Sequence, residues 1–404
     1  MGNFWSTGKN GVIYSMISVN NFYWILYETL LKPVELDCWY YYPWGTTQNL
    51  SCLGEYKTQI IRGEHHALFH FDQEPLYSNN LGQDYDISRH GRASWSVRMC
   101  KLLANSEHSD IKREICHDRS MLDWYYFYHG FAALDWFRDS RYIGDIVEPS
   151  KIFSSYNHLV RNERSYRMAL TALLIKESII SYGDVSFHSS WSECEQEIQD
   201  PWSNLNFLDK ENISNCIIGY ANLPMILDSM IPNGQLSARF GHQEFKLWQR
   251  SFWHVVNETI FYQSKLHLTE KIFKPIVALR PFLLVAAPGN LRYLRSYGFK
   301  TFSNWIDESY DDEKDNHKRL IMITEQLKLL CGKSSKQLQV MHNEMLPVLI
   351  HNKTHMFGQF QKIIVKELVQ NFDSCIRVWN NGRVDGRDLP LHPDLEHAEQ
   401  TLLG

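Results

Sequence analysis

The sequence predicts an α/β protein of two domains, each built on a parallel sheet, that face one another across a cleft. Three observations carry this. The chain has 404 residues, more than a single hydrophobic core usually spans. Apolar runs of strand length alternate with helical stretches along most of it. Several of those runs end in polar clusters, as strands do where a parallel sheet turns its carboxyl edge toward a ligand. The boundary is placed near residue 150. That gives an N-terminal domain over 1–150, a second over 151–360, and a helix with a tail over 361–404 that crosses back onto the first.

In the first domain, residues 11–18 (GVIYSMIS) are a strand candidate and 22–31 a helical one ending before Pro33. Ala67–Phe71 (ALFHF) is a second strand, running into Asp72-Gln73-Glu74-Pro75. Leu102 to Ala104 precede a polar cluster able to cap a helix, and 124–128 reads as a further aromatic strand. In the second domain, 151–156 (KIFSSY) is a strand, and 161–182 reads as one long helix closed by Gly183. The stretch 190–216 is acidic and Trp-containing, and is expected to be loop-rich. Residues 252–256 (FWHVV) and 281–287 are buried strands, followed by a helix over 290–297 and three more near 315–331, 334–349 and 356–372. The last 25 or so residues, with Gly382, Gly386, Pro390 and Pro393, read as a tail.

Composition narrows the function. Apolar residues make up 44% and aromatics 14%, enough for large cores. The formal charge of −5 weighs against a dedicated nucleic-acid binder, without excluding a local basic cleft. The eight cysteines form no CxxC pair, the expected pattern of reduced core thiols in a cytoplasmic protein. No transmembrane run and no signal-peptide pattern is read. Met1-Gly2-Asn3-Phe4-Trp5-Ser6 fits the short myristoylation pattern, which chance also produces.

The most informative stretch is 266–289, LHLTEKIFKPIVALRPFLLVAAPG. Thr269 is a plausible N-cap, placing Glu270 and Lys271 in a first helical turn and Lys274 one turn on. An ammonium and helix-end amides suit phosphate, and a carboxylate suits sugar hydroxyls. A capped amphipathic helix with solvated charges is the plainer alternative. A second cluster, Asn157, Arg161 and Arg164, follows the KIFSSY strand. Guanidinium forks there suit a diphosphate, and a charged helical turn explains them equally well.

Residues 250–300, with Glu258 eleven positions before Thr269 and then Glu270-Lys271, resemble the donor-site signature of the α1,3-fucosyltransferase family. The resemblance implies a GT-B-type glycosyltransferase of two Rossmann-like domains. Such an enzyme would move a sugar from a nucleotide-sugar donor, GDP-fucose-like in that family, to an acceptor hydroxyl, with inversion and without metal or other cofactor. It makes Glu258 and Glu270 sugar- or ribose-binding and Lys271 diphosphate-binding. The acceptor stays open: a glycan, a lipid-linked sugar, a protein or a modified DNA base.

An inverting transferase also needs a base for the acceptor hydroxyl. Glu74 and Asp72, at the end of the ALFHF strand, are the first candidates, with His129 in YFYHG a third; an acidic turn before Pro75 is the alternative. Glu64, His65 and His66, with His70 and Asp72, also admit a metal-dependent hydrolase, although no second ligand cluster accompanies them. Asp84-Tyr85-Asp86 matches a short metal-binding pattern but lacks a preceding apolar strand. A carbohydrate- or nucleotide-binding protein without turnover is the third class.

Overall fold

The computed structural model describes residues 25–34, 38–41, 67–71, 100–104, 121–141, 148–201, 203–207, 210–218, 225, 227, 247–262, 266–381 and 391–403. The chain divides into two compact units, Met1–Asp135 with Gln361–Gly404, and Trp136–Phe360. Both are α/β. The proposed strand at 11–18, the acidic turn at Asp72 and Glu74, residues 64–66 and the Asp84–Asp86 pattern lie outside the described residues.

The first unit carries a parallel sheet in the order β1 (Cys38–Tyr41), β2 (Ala67–Phe71), β3 (Cys100–Ala104) and β4 (Met121–Asp123). The aromatic run after β4 is not the strand its composition suggests. Trp124 and Phe127 are fully buried, and helix α1 (Tyr128–Trp136) starts directly behind them. The helix expected before the tail is present in this unit, and the described part of the expected tail, 391–403, is also structured. Helix α9 (Gln361–Asn381) packs on β4, with Trp124 Nε1 donating to the Leu368 carbonyl at 2.9 Å and Asn371 Nδ2 to the Tyr125 carbonyl at 3.0 Å. Helix α10 (Leu395–Leu403) then buries Ala398 and Leu402, and His392 hydrogen-bonds the Thr29 carbonyl.

The second unit holds β5 (Lys151–Asn157), β6 (Gly183–Phe187), β7 (Ser251–Asn257) and β8 (Phe282–Val285), all parallel, in the order β6-β5-β7-β8. All seven residues of β7 are buried, as expected of a strand covered on both faces. The stretch read as one long helix is three pieces: a turn over Asn162–Arg164, helix α2 (Tyr166–Lys176), and a turn over Ile180–Tyr182. Gly183 opens β6 instead of closing a helix. The stretch expected to be loop-rich contains α3 (Trp191–Gln199) and α4 (Lys210–Ile218); a capping box between Ser190 and Glu193 starts α3.

Helix α5 (Glu270–Val277) follows β7. Thr269 is its N-cap, and Ile272, Phe273, Ile276 and Val277 form its buried side. Gly289, at φ 85°, turns the chain from β8 into α6 (Asn290–Ser296). Helices α7 (Asn316–Cys331) and α8 (Ser335–His355) complete the unit. Among the described residues no helix is long and apolar enough to cross a membrane.

Candidate functional site

In the second sheet, β5 and β7 are neighbours, and the chain leaves them in opposite directions, toward β6 and toward β8. Open α/β sheets bind ligands outside the carboxyl ends of the strands at such a switch point. Both strands end in asparagine, and the pairing of Ser155 with Val255 brings Asn157 level with Asn257. Ser155 Oγ accepts from Asn257 Nδ2 at 2.9 Å and from Asn157 Nδ2 at 3.5 Å, and Ser186 Oγ accepts from the Asn157 amide at 2.9 Å. The two Oδ1 atoms are buried and accept no hydrogen bond among the described residues. Each such atom forgoes about 1–3 kcal/mol of pairing.

The segment leaving β5 carries the predicted arginines. Asn162 sits at φ 55°, a conformation asparagine tolerates better than most residues, and its amide donates to Glu197 Oε2 at 3.1 Å. Arg161 approaches Glu193 at 3.7 Å, whereas the Arg164 guanidinium makes no ion pair or hydrogen bond among the described residues. A cleft of about 280 Å³ opens between Leu159, Arg161, Asn162 and Arg164 on one side and Glu197 and Asp200 on the other.

The segment leaving β7 carries Glu258, which is fully buried. Its Oε2 accepts from the Thr269 hydroxyl at 2.6 Å and its Oε1 from the Thr269 amide at 3.1 Å, so this carboxylate fixes the start of α5. Lys271 Nζ donates to Thr269 Oγ1 at 2.9 Å and Glu270 Oε1 at 3.2 Å, and reaches Thr259 Oγ1 at 3.5 Å. Glu270 is buried, while the Lys271 side chain keeps 31% of its surface exposed. The Lys271 ammonium, the Thr269 hydroxyl and the fully buried Glu258 carboxylate thus form a relay whose lysine end is the exposed one.

Lys274 does not join this group. Its ammonium lies 5.6 Å over the Trp248 ring, which stacks on His254 within β7 at 4.6 Å. That position is on the face of the sheet, not at its edge. Burial drives the His254 imidazole down to a pKa of about 3, leaving it neutral between Ser154 Oγ and the Trp248 carbonyl. His129, the third base candidate, is buried in α1, its ring edge-on to Tyr128 at 5.2 Å. Asp72 and Glu74 are not among the described residues, and no group of three or more His, Cys, Asp or Glu suited to a metal occurs among those that are.

Two features are not legible in the sequence. Arg167, hidden inside the stretch read as one helix, is 4% exposed and links both strand exits. Its guanidinium donates to the carbonyls of Leu159 at 2.9 Å, Asn257 at 2.9 Å and Glu258 at 3.1 Å. Beside it the Tyr166 hydroxyl donates to the Glu258 carbonyl, and burial pushes the phenol pKa up. The second is Asp311. Its carboxylate accepts from the amides of Leu291 and Arg292 at 2.9 and 3.1 Å, filling the N-terminus of α6 from within the protein. Burial raises its pKa. No family model, curated protein or solved structure matches the chain.

Proposed function

We propose that the chain is a glycosyltransferase of the two-domain GT-B type, binding a nucleotide-sugar donor at the carboxyl edge of the second sheet. The sugar passes to an acceptor hydroxyl with inversion and without a metal. What supports this reading is that cations follow both strands of one switch point, Arg161 and Arg164 in the segment leaving β5 and Lys271 in the segment leaving β7.

The chemistry follows from those positions. Departure of a nucleoside diphosphate builds negative charge on its oxygens, and fixed cations there stabilise it more than they stabilise the bound donor. Lys271, held by Thr269 and Glu270, is pre-oriented for that role, and Arg164 brings a guanidinium with no hydrogen-bonded partner among the described residues. Glu270 accepts from a sugar or ribose hydroxyl. Glu258, whose oxygens face Thr269, positions the lysine and does not contact the donor. The acceptor and its base, Glu74, Asp72 or His129, belong to the N-terminal side in this reading.

A thermal-shift series with GDP-, UDP- and CMP-sugars on the wild type and Lys271→Ala tests it, followed by assay of released nucleoside diphosphate with candidate acceptors. One donor should raise the wild-type Tm and lose most of that effect in the variant. No shift with any donor, or an equal shift in both proteins, overturns the assignment. Stabilisation without nucleotide release under any acceptor reassigns the chain to a binding protein.

A further inference from the structure

We propose that Arg167 is the positioning residue of the switch-point crevice and that the diphosphate of the bound ligand is its counter-ion. This rests on the nucleotide-sugar reading above and names the part of the ligand that decides affinity.

Three observations lead to it. Arg167 is 4% exposed, and a guanidinium buried to that degree ordinarily faces a carboxylate. Here its hydrogen-bond partners among the described residues are all neutral: the carbonyls of Leu159, Asn257 and Glu258, and the Tyr166 hydroxyl at 3.3 Å. Second, those carbonyls come from both chains leaving the switch point, so one planar fork fixes the spacing between the β5 exit and the β7 exit. Third, what that spacing separates is the Arg161–Arg164 cleft, which begins at Leu159, from Glu258 and the lysine it orients through Thr269.

A buried positive charge at the carboxyl edge of the sheet, with no carboxylate hydrogen-bonded to it among the described residues, raises the affinity for an anion bound at that edge. The carbonyl dipoles hold the guanidinium in place without cancelling its charge. Lysine in the same position would keep the charge but could not span three carbonyls, because an ammonium on a flexible stem has no fork. Geometry and charge can therefore be separated by mutation.

The test is calorimetric titration of inorganic pyrophosphate and of GDP into wild type, Arg167→Lys and Arg167→Met, each well below its own Tm. The wild type should bind both. Arg167→Met should bind pyrophosphate about tenfold or more weakly, the size expected from losing one charge in a partly desolvated site. Arg167→Lys should fall between, and its remaining affinity should be the more sensitive to salt. A residue with a purely structural role would lower Tm and leave the affinity of the folded protein unchanged. Equal affinity of wild type and Arg167→Met overturns the proposal while leaving the nucleotide-sugar reading intact. If Arg167→Met does not fold, equal affinity of wild type and Arg167→Lys does the same. If the wild type binds neither pyrophosphate nor GDP, both the proposal and the reading beneath it fail.

Discussion

Thr269 gives both its hydroxyl and its amide to Glu258, at 2.6 and 3.1 Å, across eleven residues of chain. The same hydroxyl accepts from the Lys271 ammonium at 2.9 Å. One threonine therefore caps a helix, holds a buried carboxylate and sets the direction of a lysine. Replacing it by valine keeps the shape and removes the relay. Thr269→Val should cost about 1–3 kcal/mol, because Glu258 Oε2 is then buried without its donor. Thr269→Ser should cost much less. Urea unfolding of the three proteins compares them, and an equal loss in both variants would show that the methyl group matters and the hydroxyl does not.

Ser178 stands at φ 57° just beyond α2, exposed to solvent, with its amide donating to the Ile175 carbonyl. That is the left-handed position of a helix C-terminus, where glycine is favoured. Ser178→Gly should stabilise the protein by about 1 kcal/mol, and a β-branched residue such as valine should destabilise it by a similar amount. No packing is lost in either case, so chemical denaturation midpoints read backbone strain directly. A lower midpoint for the glycine variant would contradict this.

His254 has a folded pKa of about 3, depressed first by burial, against an ordinary imidazole value of 6.5. The unfolded chain therefore takes up a proton as pH falls below 6.5, while the folded chain does not until near 3. Stability is lost across that window by up to about 1.4 kcal/mol per pH unit from this residue. His342, shifted down by burial and by Arg280, acts in the same direction. A His254→Gln variant should start less stable at neutral pH and lose stability less steeply between about pH 6 and 4. Parallel pH profiles for variant and wild type would rule out the assignment.

Gly298 takes φ 92°, and a Cβ there would lie 2.7 Å from the His355 ring. That ring cannot step aside freely, because its Nε2 bonds the Tyr297 carbonyl at 2.7 Å and it stacks on His351 at 5.6 Å. Gly298→Ala should cost about 2 kcal/mol or more, combining left-handed strain with overpacking. A thermal midpoint within a degree or so of wild type would mean that α8 shifts to accommodate the methyl.

The parts of the fold legible in the sequence are those that a single periodicity decides. β7 is readable because FWHVV is an apolar run interrupted only by His254 and ending in two β-branched residues, and α5 because Thr269 precedes two charges and an apolar stripe. A single helix over 161–182 fails for a physical reason: Asn162 and Ser178 adopt positive φ, which asparagine tolerates without requiring and serine does not announce. The start of α3 is obscured although Ser190 and Glu193 have the spacing of a capping box, because acidity and tryptophan point toward loop. In the candidate site, Arg161, Arg164, Glu258, Glu270 and Lys271 all fall near the carboxyl ends of β5 and β7. Lys274 groups with Lys271 by sequence proximity, yet one helical turn carries it from the sheet edge to the sheet face. Arg167 is invisible because its partners are backbone carbonyls, which have no sequence signature.

The docking of α9 beside β4 has a consequence for biosynthesis. The unit formed by residues 136–360 is continuous and emerges from the ribosome whole, whereas its neighbour needs Trp124 and Leu368, which are 244 positions apart. During translation the second unit has everything it requires while the first still lacks its closing helix. A nascent chain stopped before residue 361 should protect 136–360 from protease and leave the earlier segment open to cleavage and to chaperones. The last helices would then act as the step that commits the first-made part of the chain to its fold.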